Sequence, residues 1–137
     1  MTERQQFNLK VIDEFRANGG KVGKPFEGMP MVLLTVTGAK SGKTYTTPLV
    51  YSKDGNRYVI IASMAGAPNN PDWYHNIKAN PTVTLEIGTE RFQAKATVTS
   101  GEERERLFNA QAAIMPVFND YRKKTTRQIP VIALERI

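Results

Sequence analysis

Apolar residues recur near the start of the chain at a helical interval. Phe7, Val11, Ile12 and Phe15 fall at i, i+4, i+5 and i+8, which predicts a helix near residues 3–17. Gly19-Gly20 stops that run. From Met31 to about Ile87 the pattern changes to short apolar or alternating segments of β type. Met31 to Thr37 predicts a first strand, and the polar stretch Gly38-Ala39-Lys40-Ser41-Gly42-Lys43 a turn. Thr44 to Ser52 predicts a second strand. Pro48 inside it marks an edge or a bulge, because proline has no N–H for a ladder. Asp54-Gly55 is a hairpin signal that leads into the buried strand Tyr58-Val59-Ile60-Ile61-Ala62.

Small residues after that strand allow close approach to the backbone. Asn70-Pro71-Asp72 predicts the opening of a short helix, with Asn70 as N-cap and Pro71 at the first helical position. Asn80-Pro81 closes it. The helix carries the only Trp (Trp73) and the only His (His75) of the chain, beside Tyr74 and Asn76. On these residues alone the segment reads either as the wall of a flat ligand or as a well-capped connector. Thr82 to Ile87 and Arg91 to Thr99 predict a hairpin around Gly88, with Phe92, Ala94, Ala96 and Val98 alternating on one face. Ser100-Gly101-Glu102-Glu103 has the form of a capping box opening a helix to about Met115. Pro116 interrupts, a shorter segment runs to about Lys124, and Pro130-Val131-Ile132-Ala133-Leu134 predicts a last strand. About six antiparallel strands with helices at the start, middle and end predict an α+β, mainly β architecture: a small barrel decorated by helices. No internal repeat, linker or Rossmann-like alternation is present.

A length of 137 residues suits one domain spanning 1–137. Hydrophobic residues make up 40% and charged residues 23%, a globular composition. The absence of cysteine excludes disulfides, thiolate metal sites and a cysteine nucleophile. The start of the chain lacks the apolar core of a signal peptide and no run approaches a membrane span, so a cytoplasmic location is expected. The net charge of +6 favours acidic partners, from nucleic acid and anionic lipid to phosphorylated small molecules. Arg4, Lys10 and Arg16 leave two readings of the first helix: packing on the body of the protein, or contact with an anionic membrane surface.

The sequence Gly38 to Thr44 is close to a phosphate-binding P-loop. That pattern requires glycine where Thr37 stands, and a helix where a Pro48-broken strand follows. The nucleoside triphosphatase reading therefore fails. A solvated hairpin turn remains, or a basic turn whose Lys40, Lys43 and backbone N–H groups hold an anion. His75 has no partner ligands and no nucleophile at useful spacing, and reads as a structural or pocket-rim residue. Asp54, Asp72, Glu86 and Glu90 show no pairing for acid–base work, and Asp72 suits the first turn of a helix. Arg122-Lys123-Lys124 with Arg127 reads as a solvated basic face or as counter-charge for an acidic ligand. No nucleic-acid-binding pattern is visible.

Four segments together resemble the deazaflavin-dependent nitroreductase family: Leu34 to Gly42, Thr47-Pro48-Leu49, Ala62-Ser63 through Gly66-Ala67-Pro68, and Pro71-Asp72-Trp73-Tyr74-His75-Asn76-Ile77-Lys78-Ala79-Asn80-Pro81. These are small actinobacterial oxidoreductases with a split β-barrel fold that use coenzyme F420. The resemblance covers about Pro30 to Ile137 and implies a cofactor-binding barrel over 30–137, which the N-terminal helix read from the periodicity precedes over 1–20. It implies that Ala39, Lys40 and Ser41 form the phosphate turn. Tyr45, Thr46, Thr47, Pro48, Leu49 and Val50 on the next strand, with Ile61, Ala62, Ser63 and Met64 at a strand end, would flank the deazaflavin. Asp72, Trp73 and Asn76 would complete the groove. Met115, Phe118 and Tyr121 would line the substrate pocket, with Ser63 and Tyr121 as candidate catalytic hydroxyls.

The implied activity is hydride transfer from reduced deazaflavin to a quinone, enone or nitroaromatic. A cofactor that carries its own chemistry accounts for the lack of nucleophile, metal cluster or carboxylate pair. The basic balance suits the phosphodiester and γ-glutamate tail of F420. Three departures stand out. Ala39 replaces a frequent arginine, Met64-Ala65 replace a common Lys-Gly pair, and Met115 and Phe118 occupy positions where a nitroimidazole-reducing relative presents tyrosines. The pocket is thus more apolar, which weighs against nitroimidazole and leaves quinone-like acceptors open. Competing readings are an FMN-dependent split-barrel reductase and a non-catalytic carrier of deazaflavin, fatty acid or haem.

Overall fold

The computed structural model describes residues 2–24 and 26–137. Its first helix, α1 (Glu3–Ala17), starts on a capping box: the Gln5 N–H donates to Thr2 Oγ1 at 3.1 Å, and the Thr2 N–H donates to Gln5 Oε1 at 2.8 Å. Val11, Ile12 and Phe15 are buried, Ile12 and Phe15 against Met31 and Leu33, so this part of the stripe packs on the protein's own body, while Phe7 stays exposed. Gly20 at φ 94° ends the helix. A Cβ there would lie 2.7 Å from Gly88 Cα, so glycine is required by space as well as by conformation.

Seven strands follow: β1 (Met31–Thr37), β2 (Thr44–Val50), β3 (Ser52–Asp54), β4 (Arg57–Ile61), β5 (Thr82–Ile87), β6 (Glu90–Val98) and β7 (Val131–Arg136). They form one sheet in the order β2-β1-β5-β6-β7-β4-β3, every neighbour antiparallel. The two edges, β2 and β3, are separated in sequence by Tyr51 alone. A flat sheet would hold them at opposite ends, so the sheet must curl until its edges meet. The single strand predicted over Thr44 to Ser52 is therefore divided at Tyr51, whose N–H donates to Pro30 O at 3.1 Å. One half pairs with β1 and the other with β4.

Curling explains the contiguous apolar runs. In β1, Val32, Leu34 and Val36 face the barrel interior while Met31 and Leu33 lie under α1. In β4, Ile60 points inward while Val59 and Ile61 meet the C-terminal helices. Both faces are covered, so burial does not alternate. Strand β6 has only its inner face covered and alternates as predicted through Phe92, Ala94 and Ala96. Val98, predicted on that face, emerges at the rim and is exposed.

Helix α2 (Asp72–Ala79) connects β4 to β5, and α3 (Gly101–Ile114) and α4 (Val117–Lys124) lie between β6 and β7. Two predicted caps differ. Pro71 holds the N-cap position of α2 without a side-chain bond, because Asn70 Oδ1 accepts from Arg127 at 2.7 Å. Ser100 caps α3 in position only, since the Glu103 carboxylate accepts from Arg57 at 3.1 Å. Among the described residues no helix is long and apolar enough to cross a membrane.

Candidate functional site

An open cavity of about 1450 Å³ runs along the exposed side of β2. Its walls come from α1, Phe26 with β1, the β1–β2 turn with β2, the end of β4 with the turn after it, the start of α2, and α4. Pro48 sits mid-strand opposite Leu33, tolerated because β2 is an edge.

The basic turn is built from short-range bonds. The Gly38 N–H donates to Lys43 O at 2.7 Å and the Gly42 N–H to Gly38 O at 3.0 Å. Ser41 Oγ lies 3.1 Å from the Tyr45 hydroxyl and accepts from the Lys43 N–H at 3.2 Å. A Cβ on Gly38 would fall 2.6 Å from Ser41 Oγ and 2.8 Å from the Tyr45 ring, so this glycine leaves room for that pair. Asn76 reaches across from α2, its Oδ1 accepting the Ala39 N–H at 3.0 Å. Lys40 and Lys43 make no ion pair among the described residues. The charged side chains lining the cavity are Arg4, Lys40 and Asp72, which leaves it net positive.

The second wall is the short 3₁₀ turn Met64–Gly66 after β4. Met64 and Ala65 have φ of 48° and 55°, a left-handed path that disfavours side chains with a Cβ. Gly66, at φ 81°, is pressed against α4: a Cβ there would lie 2.8 Å from Lys124 Cβ and 3.0 Å from Tyr121 O. Behind the turn stands Arg127. Its Nε donates to Ala67 O at 2.9 Å, Nη1 to Ala62 O at 3.2 Å and to Asn70 Oδ1 at 2.7 Å, and Nη2 to Ser63 O at 2.8 Å. Burial pushes its pKa below the usual guanidinium value.

Every residue expected to flank the cofactor lines this cavity except Ala62, and of the expected substrate pocket Phe118 and Tyr121 line it while Met115 does not. Ala62 is fully buried in the barrel interior. Met115 packs with Leu107, Phe108 and Phe118 between the C-terminal helices and the sheet. Pro116 turns the chain at that point and sends Met115 inward. The basic face expected at Arg122–Lys124 and Arg127 is dispersed: Arg127 serves the Ala62–Asn70 loop, and Arg122 lies 3.8 Å over the Phe108 ring. His75 is exposed at the cavity rim.

The α1 wall was not foreseen. Arg4, Gln5, Phe7, Asn8, Leu9 and Ile12 all line the cavity, joined by Phe26 and Met31. Phe7 and Leu9 are 42% and 45% exposed because they border open space. The signal was Leu9, an apolar residue outside the packing stripe. Helix α1 is anchored at its far end, where Arg16 donates from Nε and Nη2 to the two oxygens of Glu86 at 3.1 and 2.8 Å. That bond is the main reason the Glu86 pKa is lowered, over an opposing effect of burial.

The chain matches the model of the F420H(2)-dependent quinone reductase family over residues 9–136. It is 37% identical over 128 residues to the F420H(2)-dependent quinone reductase Rv1261c of Mycobacterium tuberculosis, covering 89% of this chain and 85% of that protein. Among solved structures, it resembles the F420-H2 dependent reductase FDR-A at 41% identity and a TM-score of 0.72, over 77% of this chain and 94% of that one. A second solved structure, described as a domain-swapped dimer, is 37% identical with a TM-score of 0.74 and 96% of each chain covered.

Proposed function

The chain belongs to the F420H(2)-dependent quinone reductase family, and from that premise we propose that the cavity along β2 seats coenzyme F420 at its basic end and a quinone-like acceptor against the apolar wall of α1. One observation carries this reading. A single cavity joins the turn that carries Lys40 and the hydroxyls of Ser41 and Tyr45 to a chamber lined by Phe7, Leu9, Ile12, Phe26 and Phe118. An anionic tail and a flat, apolar acceptor need such a two-ended space.

The residues present fit the cofactor. Lys40 and Ser41 would hold its phosphodiester, on a turn that Asn76 braces through Ala39 and that Gly38 leaves open. Trp73, buried to 7% exposure, and Pro48 supply rigid apolar surfaces for a flat ring system. When bound, the reduced deazaflavin supplies the hydride. The protein's own groups position, exclude water and manage the proton. The Ser63 hydroxyl and the Tyr121 phenol, both on the cavity wall, would orient the acceptor oxygen or deliver its proton. The Tyr121 ring stands edge-on to Phe118 at 5.5 Å between centroids, which limits its swing. With Met115 withdrawn, Phe118 and Tyr121 carry the α4 side of the pocket. Contact with an anionic bilayer, if made, falls to the exposed face of α1, where Phe7 and Leu9 stand beside Arg4 and Lys10.

The test is a titration of the purified protein with F420 and with FMN, following Trp73 fluorescence. Saturable quenching by F420 and not by FMN is expected. No response to F420 would sink the reading. Reoxidation of F420H2 by menadione, dependent on the protein, then separates a reductase from a carrier.

A further inference from the structure

We propose that Arg127 is a positioning residue for this site: its guanidinium holds the segment Ser63–Ala65 in the path that presents Ser63 and Met64 to the cavity. The proposal rests on the reading of that cavity as the F420 seat. Among the described residues, Met64 and Ala65 are the two non-glycine residues with positive φ. Backbone of this kind persists only where its surroundings over-determine it. Arg127 does so from behind. It takes carbonyls on both sides of the pair, those of Ala62 and Ser63 before it and that of Ala67 after it, and is itself steadied by Asn70.

The geometry has a direction. A trans peptide points its C=O and N–H opposite ways. With the Ala62 and Ser63 carbonyls turned onto Arg127, the N–H groups of Ser63 and Met64 face away from it. Ser63, Met64 and Ala65 line the cavity, and Arg127 is not among the lining residues. It therefore acts through the loop, without touching what the cavity holds. The task suits arginine, whose planar fork directs five donors at fixed angles. A lysine has three donors on one atom and cannot reach four acceptors spread from residue 62 to residue 70.

The experiment compares Arg127→Lys and Arg127→Gln with the parent chain, by F420 titration on Trp73 fluorescence, steady-state kinetics with menadione, and thermal unfolding. Well below its own midpoint, Arg127→Gln should bind F420 about tenfold more weakly, the loss expected for about one well-placed hydrogen bond. Its KM for F420H2 should rise more than its KM for menadione. Arg127→Lys should recover part of that affinity. A lower midpoint with unchanged F420 affinity and unchanged kinetics would make Arg127 merely structural and overturn the proposal. Failure of the parent chain to bind F420 would instead overturn the functional reading. If Arg127→Gln does not fold, Asn70→Ala removes the 2.7 Å bond and leaves the three carbonyl bonds. It should weaken F420 binding by about two- to threefold, and parent-like affinity there would equally refute the idea.

Discussion

Replacing Ala65 by glycine should stabilise the protein while loosening the site. Ala65 sits at φ 55°, ψ 30°, in the left-handed region where a Cβ meets the following carbonyl and costs about 1–2 kcal/mol. Glycine removes that strain but gives the unfolded chain extra freedom, worth about 0.5–1 kcal/mol. Ala65 is exposed, so almost no burial is lost. The net gain is about 0.5–1 kcal/mol, which for a chain of this size raises the thermal midpoint by about 2–4 °C. Thermal unfolding by circular dichroism and a urea midpoint measured together would read it. Ala65→Val should do the reverse, because a β-branched side chain is a worse occupant of this region. On the same samples, F420 titration should show Ala65→Gly binding more weakly, since the segment gains conformations that do not face the cavity. A midpoint that is unchanged or lower in Ala65→Gly would show that residue 65 carries no strain, and the argument for a braced loop would lose its first observation.

Three further outcomes test the remaining walls. Gly38→Ala would push a methyl into the Ser41–Tyr45 pair, so F420 affinity should fall by about tenfold with a stability loss near 1 kcal/mol or less; unchanged affinity would remove the turn from the cofactor seat. Leu9→Asp on the exposed rim should alter stability by about 0.5 kcal/mol at most, and raise KM for an apolar quinone without altering F420 affinity. For Glu86, the lowered pKa means that the Arg16 bond stabilises the fold above the ordinary carboxylate pKa and is lost as pH falls through the lowered one. Unfolding followed from pH 7 towards pH 3 should therefore show a steeper loss in the parent chain than in Glu86→Gln, with parallel curves counting against α1 being held this way.

What the sequence made legible, and what it hid, divides along the reach of the interactions. Periods of 3.6 and 2, Pro48, Asp54-Gly55 and Gly88 act within a few residues, and they located the four α-helices and every strand except β3 to within a residue or two. The break at Tyr51 is invisible locally, because a strand that changes partners midway has the same pattern as one that does not. It follows only from closing a sheet whose two edges are neighbours in sequence. Asn70 has the chemistry of an N-cap and was claimed instead by Arg127, 57 positions away. Glu103 was likewise drawn to Arg57, 46 positions away.

The site follows the same division. Its turn and its α2 wall are continuous stretches and could be read directly. Its third wall depends on where a separate helix docks, and that docking rests on the burial of Ile12 and Phe15 against Met31 and Leu33 and on the Arg16–Glu86 pair at the opposite end of α1 from the residues that face the cavity. Closure of the sheet joins these facts. Bringing β2 round to meet β3 leaves the outer side of β2 without a strand partner, and an edge left open must be covered or used. Here α1 covers it at one end, and the Gly38–Lys43 turn leaves it open at the other. The two-ended cavity is therefore a consequence of how the barrel closes.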